Sequence, residues 1–421
     1  MSKITELETQ EERREQAILV GIDTGDFDCE VSLNELTELA DTAGADVIGI
    51  LTQKRESPNK ATAIGSGRLE ELAQIATAQE ADLVIFDCEL TATQQRNVED
   101  ALPCRVVDRT MLILDIFAGR ARSAEGRLQV ELAQLQYMLP RLSGQGTALS
   151  RLGGGIGTRG PGETKLESDK RHIRRRIQAL KRQLQEVEQQ RALRRERRKK
   201  DDMATVAVVG YTNAGKSTLM NRLTDAGVLA EDKLFATLDT TARALKLPDG
   251  RTVLLVDTVG LVRRLPHHLV DAFRSTLEEA ALSDVIINLC DASSPEANEH
   301  LAVTRDLLQQ LGCTDRPILT VFNKCDREGI PADVDLGDSD SLCISALTGQ
   351  GIDPLLERIA AALPPDRRRV TLLLPFDKGA LAGQCRREGA VESEEYVENG
   401  LRMTVTLGVK LLETVKEYVI E

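Results

Sequence analysis

The chain has 421 residues, 41% of them hydrophobic and 29% charged, and 54 Lys and Arg against 67 Asp and Glu leave a net charge of −13. That length suits roughly two to four domains of common size. The acidic total excludes nonspecific nucleic-acid binding by the surface as a whole, though not by a local basic element.

The N-terminus, "MSKITELETQEERREQ", has no apolar core and is not expected to act as a signal peptide. The apolar runs fall far short of the roughly 20 residues that a membrane span needs. The eight cysteines (Cys29, Cys88, Cys104, Cys290, Cys313, Cys325, Cys343, Cys385) form no CxxC pair and accompany only four histidines. Free thiols in a reducing cytosol, with no metal site among them, are the expectation. These features predict a soluble, cytoplasmic protein.

In chain order, "AILVGI" (Ala17 to Ile22), "ADVIGIL" (Ala45 to Leu51), "ADLVIF" (Ala81 to Phe86) and "CRVVD" (Cys104 to Asp108) read as strands. Between them, "SLNELTELADTAG" and "GRLEELAQIATAQ" read as amphipathic helices. The alternation predicts an N-terminal α/β domain over residues 1–120 with a covered parallel sheet. "GSG" at Gly65 to Gly67 is too short for a nucleotide fingerprint and reads as a plain turn.

Leu128, Leu132, Leu135 and Leu139 then form one helical seam. Pro140 is expected to end that helix. A second seam follows at Ile173, Ile177, Leu180, Leu184 and Val187. Two seams of matching period predict an antiparallel helical hairpin over residues 121–202, with the glycine-rich loop 141–165 as its tip. The second helix carries 14 Lys and Arg against three Glu between Lys170 and Lys200, a local charge of +11 that leaves −24 for the rest of the chain. A solvated helix face is the usual fate of such a run. The contrast with the acidic remainder favours a nucleic-acid contact, on a helix of about 30 residues projecting roughly 45 Å.

Within the tip, "GIGTRG" (Gly155 to Gly160) has GxGxxG spacing. A dinucleotide loop must follow a strand and open a helix. This one follows "SGQGTALSRL" and runs into Pro161-Gly162, a pair no opening helix is expected to tolerate. Its glycines instead suit a thin loop that orders on RNA, with Arg151, Arg159 and Lys165 neutralising phosphates.

"TVAVVG" opens a second α/β region, a G domain over residues 203–364. "GYTNAGKS" supplies Gly210, Tyr211, Thr212, Asn213, Ala214, Gly215, Lys216 and Ser217 between a strand and a helix. This is the phosphate-cradling G-x-x-x-x-G-K-S pattern, with Lys216 for the β/γ-phosphates and Ser217 for Mg²⁺. "FATLDTT" follows, containing Phe235, Ala236, Thr237, Leu238 and Asp239. A switch threonine belongs here, from Thr237, Thr240 or Thr241.

"DTVG" gives Asp257, Thr258, Val259 and Gly260, with Asp257 holding Mg²⁺ through water and the Gly260 N–H meeting the γ-phosphate. "NKCD" gives Asn323, Lys324, Cys325 and Asp326; Asp326 can accept from guanine N1–H and its amine, which adenine does not offer. "SAL" gives Ser345, Ala346 and Leu347, with a backbone N–H for guanine O6. Each motif alone is weak, but the ordered set predicts a guanine-nucleotide site. From residue 365 to 421 a strand, a short helix and a hairpin turning near Asn399-Gly400 predict a small C-terminal α+β domain.

Together "GYTNAGKS", "FATLD", "DTVG", "NKCD" and "GGGIGTRGPGETKLE" resemble the HflX family, ribosome-associated GTPases of the Obg–HflX group within the TRAFAC-class P-loop GTPases. The resemblance covers nearly the whole chain. It implies that Thr237 is the switch Mg²⁺ ligand. It also implies GTP hydrolysis to GDP and phosphate, binding to the large ribosomal subunit and its RNA, and splitting of stalled or vacant ribosomes under stress. A monomer is expected. Some members are described as using ATP in the N-terminal domain or as remodelling RNA; residues 1–200 show no ATP motif.

Two departures stand out. Thr240 replaces the family's usual proline in switch I. Leu261 replaces the usual phenylalanine after "DTVG"; both are apolar, and an apolar side chain does not orient a water as a catalytic glutamine does. Slow intrinsic turnover, stimulated by the ribosome, is the expectation, and no catalytic residue is assigned. Asn213 sits where potassium-activated GTPases place a K⁺ ligand; ordinary loop hydrogen bonding is an equal alternative. The competing readings are a non-enzymatic GTP-dependent ribosome-binding or assembly factor, and an ATP-dependent RNA helicase.

Overall fold

The computed structural model describes residues 13–142, 161–200, 203–224, 235, 241–263, 281–313, 315–327, 341–363 and 367–420; side chains 161–166, 194–200, 367–368, 409–410 and 413 are outside the description. It is a mixed α/β structure with one parallel sheet, one sheet parallel but for an edge strand, and one small antiparallel sheet.

The first sheet contains β1 (Glu15–Asp23), β2 (Ala45–Lys54), β3 (Leu83–Phe86) and β4 (Arg105–Asp108) in the order β2-β1-β3-β4. All pairs are parallel. Ala17 to Val20 and Leu83 to Phe86 are buried on both faces, which is why these strands are continuous apolar runs. The helices between them are α1 (Cys29–Thr42), α2 (Ser66–Ala78) and α3 (Ala92–Glu99), and α4 (Arg109–Arg120) follows β4. Side-chain oxygens start three of them. Asp28 accepts from the Glu30 and Val31 N–H groups, Thr91 from Gln94, and Asp108 from Met111. "GSG" is the start of α2, with Gly65 at its N-cap, and not a free turn.

α5 (Ala124–Arg141) and α6 (Pro161–Lys200) pack together. Leu132, Ile177 and Leu180 are buried between them, flanked by Leu128, Leu135, Leu139, Ile173 and Leu184. Arg176 makes a two-pronged ion pair with Glu131 at 2.6 and 2.7 Å, and Arg191 reaches Glu125 at 2.7 Å. The numbers rise on one helix as they fall on the other, so the pair is antiparallel.

Three expectations about the ends of this hairpin need correction. Pro140 lies inside the last turn of α5, which continues to Arg141, because a proline costs one hydrogen bond but the turn around it is held by its neighbours. Pro161-Gly162 does open a helix: the first helical position needs no N–H partner and suits the fixed φ of proline. The glycine-rich loop is therefore shorter than 141–165. Lys165 is on helix α6, while Arg151 and Arg159 lie outside the described residues. At 40 residues, α6 spans roughly 60 Å rather than the shorter reach expected.

The second sheet holds β5 (Thr205–Gly210), β6 (Ala242–Lys246), β7 (Thr252–Asp257), β8 (Val285–Asp291), β9 (Ile318–Asn323) and β10 (Leu342–Cys343), in the order β10-β9-β8-β5-β7-β6. Only the β6–β7 pair is antiparallel. Its described helices are α7 (Lys216–Thr224), α8 (Ala297–Gln310) and α9 (Ile352–Ala362). The last region is the antiparallel sheet β11 (Arg367–Leu374), β13 (Gly400–Gly408), β12 (Ala390–Val397), backed by α10 (Gly379–Glu388) and α11 (Val409–Val415).

The two parallel sheets share an apolar layer. Leu19, Ile85 and Phe117 belong to the same buried cluster as Val209, Tyr211, Phe235, Leu261 and Ile286. Phe117 meets Phe235 edge to face at 4.6 Å.

Candidate functional site

β5 ends at Gly210 and α7 begins at Lys216. Both glycines of this turn are obligatory for steric reasons. A Cβ on Gly210 would lie 2.2 Å from the Leu289 carbonyl oxygen. One on Gly215, whose φ is +89°, would lie 2.2 Å from Asn323 Nδ2. Asn213 is exposed with φ 60°, a left-handed conformation that asparagine tolerates better than most residues.

Lys216 is 7% exposed. Its Nζ donates to Gly210 O at 3.0 Å and Tyr211 O at 2.7 Å. Burial pushes its pKa down to about 8, and Asp257 works in the opposite direction. The ammonium is thus held by two carbonyl oxygens, weak partners that a phosphate can displace.

β7 delivers the next segment. Asp257 is fully buried at the strand end, and Ser217 Oγ lies 3.5 Å from its Oδ2. The Asp257 N–H donates to Thr241 O at 2.9 Å, which ties the end of "FATLDTT" to "DTVG". Thr258 Oγ1 donates to Val208 O at 2.8 Å. A Cβ on Gly260 would stand 2.7 Å from Thr212 Cγ2 and 3.2 Å from Lys216 Nζ, so this position too excludes a side chain. Leu261 is 3% exposed, with its N–H on Gly210 O and its carbonyl accepting from Thr212. Its side chain packs into the core and cannot reach a water. Val259 is buried beside it. Phe235 is buried against Phe117; Ala236, Thr237, Leu238 and Asp239 lie outside the described residues, as does Thr240.

β9 and β10 bring the third group. Asn323 is buried and works as a brace: its Nδ2 donates to Ala214 O at 2.8 Å, and its Oδ1 accepts from the Ala346 N–H at 2.9 Å. One side chain thereby joins "GYTNAGKS" to "SAL". Lys324, at φ 64°, pairs with Asp291 at 2.7 Å. Asp326 is exposed, and a hydrogen bond with Ser345 holds its carboxyl below the usual range. Arg222 of α7 donates to Ala346 O at 3.0 Å and to Leu347 O, steadying the loop that leaves Leu347 71% exposed. Segments far apart in sequence meet at the C-terminal ends of β5, β7, β9 and β10. The side-chain-free backbone around Lys216 suits phosphate, and the Asp326–Ser345 pair suits a base carrying an N–H donor.

A second constellation adjoins the first, and little in the sequence points to it. Arg109 follows β4 directly, Asp87 follows β3, and Glu35 and Ser32 sit on α1. Arg109 donates to Asp87 Oδ1 at 2.8 Å and to Glu35, and Ser32 Oγ reaches Asp87 Oδ2 at 2.6 Å. These groups face the other sheet. The Tyr211 hydroxyl donates to Glu35 and accepts from the Arg263 N–H at 2.6 Å, while Arg109 donates to Arg263 O at 3.3 Å. Tyr211 stacks on His300, with centroids 3.8 Å apart. The Arg263 guanidinium pairs with Glu296 at 3.0 Å and Glu299 at 2.6 Å. Burial, with Arg263 adding to it, pushes the pKa of His300 down to about 4 and outweighs the opposing charge of Asp291; a Glu296 oxygen lies 3.3 Å from its Nε2. A cavity of about 260 Å³ lies between α1 and this turn, lined by Glu35, Glu38, Tyr211, Asn213, Asp291 and Glu296 among others. Charged residues placed directly after buried strands were the only available signal, since Arg109 and Arg263 are 154 positions apart.

Three family models match in succession: "GTP-binding GTPase N-terminal" over residues 30–118, "GTP-binding GTPase Middle Region" over 120–198 and "50S ribosome-binding GTPase" over 205–324. A "GTPase HflX" from Caldanaerobacter subterraneus is 52% identical, the match covering 97% of this chain and 94% of that protein. One from Escherichia coli K12 is 42% identical over 94% and 93%. The crystal structure of a GTP-binding protein from Sulfolobus solfataricus in complex with GDP is 26% identical, covers 83% of this chain and 98% of that one, and has a TM-score of 0.44.

Proposed function

The chain belongs to the HflX family of GTPases, and on that footing we propose that it binds GTP in the cradle at Gly210–Ser217 and uses the nucleotide to govern association with the large ribosomal subunit, splitting stalled or vacant ribosomes. The observation that carries the nucleotide assignment is the buried Lys216 between two sterically required glycines, Gly215 directly before it and tight against Asn323, and Gly260 against its Nζ, with Asn323 bracing the base-side loop to the phosphate-side loop. Asp326 and Ser345 are assigned to guanine, Gly260 N–H to the γ-phosphate, and Lys324 to the face of the base.

Ser217 Oγ and the buried carboxylate of Asp257 are hard oxygen donors at the mouth of the cradle, which suits Mg²⁺, with Thr237 as the family's third contributor. When bound, the ion would neutralise charge on the phosphates. Residues of this chain supply positioning. Lys216 exchanges its two carbonyl partners for phosphate oxygens, Asp326 accepts the guanine donors, and the N–H groups of the α7 start point at the phosphates. Leu261 holds no water, so turnover is slow until the ribosome contributes the missing positioning. Asn213 has a left-handed backbone and two readings, a K⁺ ligand or loop hydrogen bonding; turnover that rises when K⁺ replaces Na⁺ assigns the cation, and equal turnover in the two salts assigns the loop role.

The basic helix α6 is assigned to ribosomal RNA phosphates, with Arg151, Arg159 and Lys165 near its tip. Among the described residues no helix is long and apolar enough to cross a membrane, and all eight cysteines are free thiols, which supports a cytoplasmic location. Co-sedimentation with separated ribosomal subunits in GDP and in a non-hydrolysable GTP analogue tests the whole reading. Preferential pelleting with large subunits in the analogue is expected, and equal distribution in both nucleotides would overturn it. Asp326→Asn should shift base preference away from guanine; unchanged GTP affinity would remove Asp326 from the site.

A further inference from the structure

Two cysteines frame the guanine side of the site. β10 runs parallel to β9, with Cys343 opposite Phe322. The Ile344 N–H donates to Phe322 O at 2.8 Å, and the Cys325 N–H donates back to Ile344 O at 3.1 Å. The chain leaving β9 is thus laid against the chain leaving β10, and this places Cys325 and Cys343 side by side on adjoining backbones. Cys343 is exposed, and no other cysteine of the eight is; Cys325 is half-buried, its Sγ 3.4 Å from Phe322 O. Cys325 separates Lys324 from Asp326, and Cys343 lies two residues before Ser345, which holds Asp326. The pair is therefore fastened to both loops assigned to the base.

We propose that Cys325 and Cys343 form an oxidative modification site: a peroxide closes them into a disulfide, and the closure weakens guanine-nucleotide binding. The consequence for binding rests on the assignment of Asp326 and Ser345 to guanine. The exposed Cys343 is the attacking sulfur. Its thiolate breaks the O–O bond of hydrogen peroxide, forming a sulfenic acid and, with one proton, water. Cys325 is held protonated by burial and by the neighbouring sulfur, its pKa raised, so it acts second. Its sulfur displaces the hydroxyl from Cys343, forming the S–S bond, and its proton leaves with that hydroxyl as a second water. Two thiols lose two electrons, and one peroxide becomes two waters. Bond formation draws the two sulfurs to about 2.05 Å from one another. That pull falls on Lys324, already at φ 64°, and on Asp326, and it moves them relative to Ser345.

The test uses the full-length protein, reduced, then treated with hydrogen peroxide, then re-reduced with dithiothreitol. Non-reducing peptide mapping is expected to find Cys325 joined to Cys343. Affinity for a fluorescent GDP is expected to fall about tenfold or more on oxidation and to return on reduction. Cys343→Ser should bind GDP when reduced and lose the peroxide response. Absence of the linked peptide, or an equal peroxide-induced loss in Cys343→Ser, overturns the proposal. A linked peptide with unchanged GDP affinity overturns its consequence for binding. Reduced protein that binds no guanine nucleotide would overturn the site assignment instead, and the peptide map still decides whether the pair closes.

Discussion

The two parallel sheets obey one topological rule and use it in opposite ways. In each, consecutive strands run to one side and then to the other, and the crevice at that reversal lies at the C-terminal strand ends where such folds receive ligands. Between β5 and β8 the crevice is lined by glycine backbone and one lysine, with no side chain in the space facing Lys216 at Gly260. Between β1 and β3 it is filled by the protein's own Ser32, Glu35, Asp87 and Arg109, and these hold Tyr211 and Arg263 of the other sheet. Helix starts differ in the same sense. Asp28 and Asp108 cap α1 and α4 with carboxylates, leaving those N–H groups unavailable to phosphate, whereas α7 begins at Lys216. One crevice is kept open for an anion and the other has become an internal joint, which weighs against a second nucleotide there.

The contrast can be broken from either side. Arg109→Ala should have the largest effect, on stability: it leaves Glu35 and Asp87 buried without their cation, at about 3–5 kcal/mol. An unchanged urea midpoint would show that the joint contributes nothing. Lys216→Ala should have the reverse signature. It removes a buried charge that the empty fold holds at a cost, so the midpoint stays or rises, while GTP affinity falls on the order of 100-fold, about 3 kcal/mol. If titration finds GTP binding intact, the cradle is misassigned.

Tyr211→Phe probes the seam between the two crevices. It keeps the ring on His300 but loses a hydroxyl that serves Glu35 and the Arg263 N–H, and about 1–3 kcal/mol of stability is expected to go with it. The smallest effect is pH-linked. His300 has a folded pKa of about 4 against an ordinary 6.5, so the unfolded chain binds the extra proton first. Its contribution is complete above about pH 6.5 and declines as pH falls toward 4, costing about 1 kcal/mol between pH 7 and 5.5. His300→Phe should flatten that part of the stability–pH curve, and an unchanged slope would place the titration elsewhere.

Much of this was legible in sequence because it depends on neighbours along the chain. The apolar runs of β1 and β3, the leucine seams of α5 and α6, and the order of "GYTNAGKS", "DTVG", "NKCD" and "SAL" follow from strand period, helix period and turn sterics. The end of the hairpin is a local matter too: Pro161 breaks a helix interior but starts a helix at its first position.

The sequence by itself determined which loops can cradle phosphate, because a missing Cβ at Gly210, Gly215 and Gly260 is a property of the residue. It could not determine what those glycines avoid, namely Leu289 O, Asn323 Nδ2, Thr212 and Lys216 Nζ. Nor could it show that Asn323 braces two loops, or that Arg109 and Glu35 meet Arg263 and Tyr211. The Asn323–Ala214, Arg109–Arg263 and Glu35–Tyr211 pairings each join residues more than 100 positions apart, and no period or spacing encodes them. They exist because the apolar layer from Leu19 to Ile286 brings the two sheets face to face, and buried charges at that seam must then find one another or be excluded.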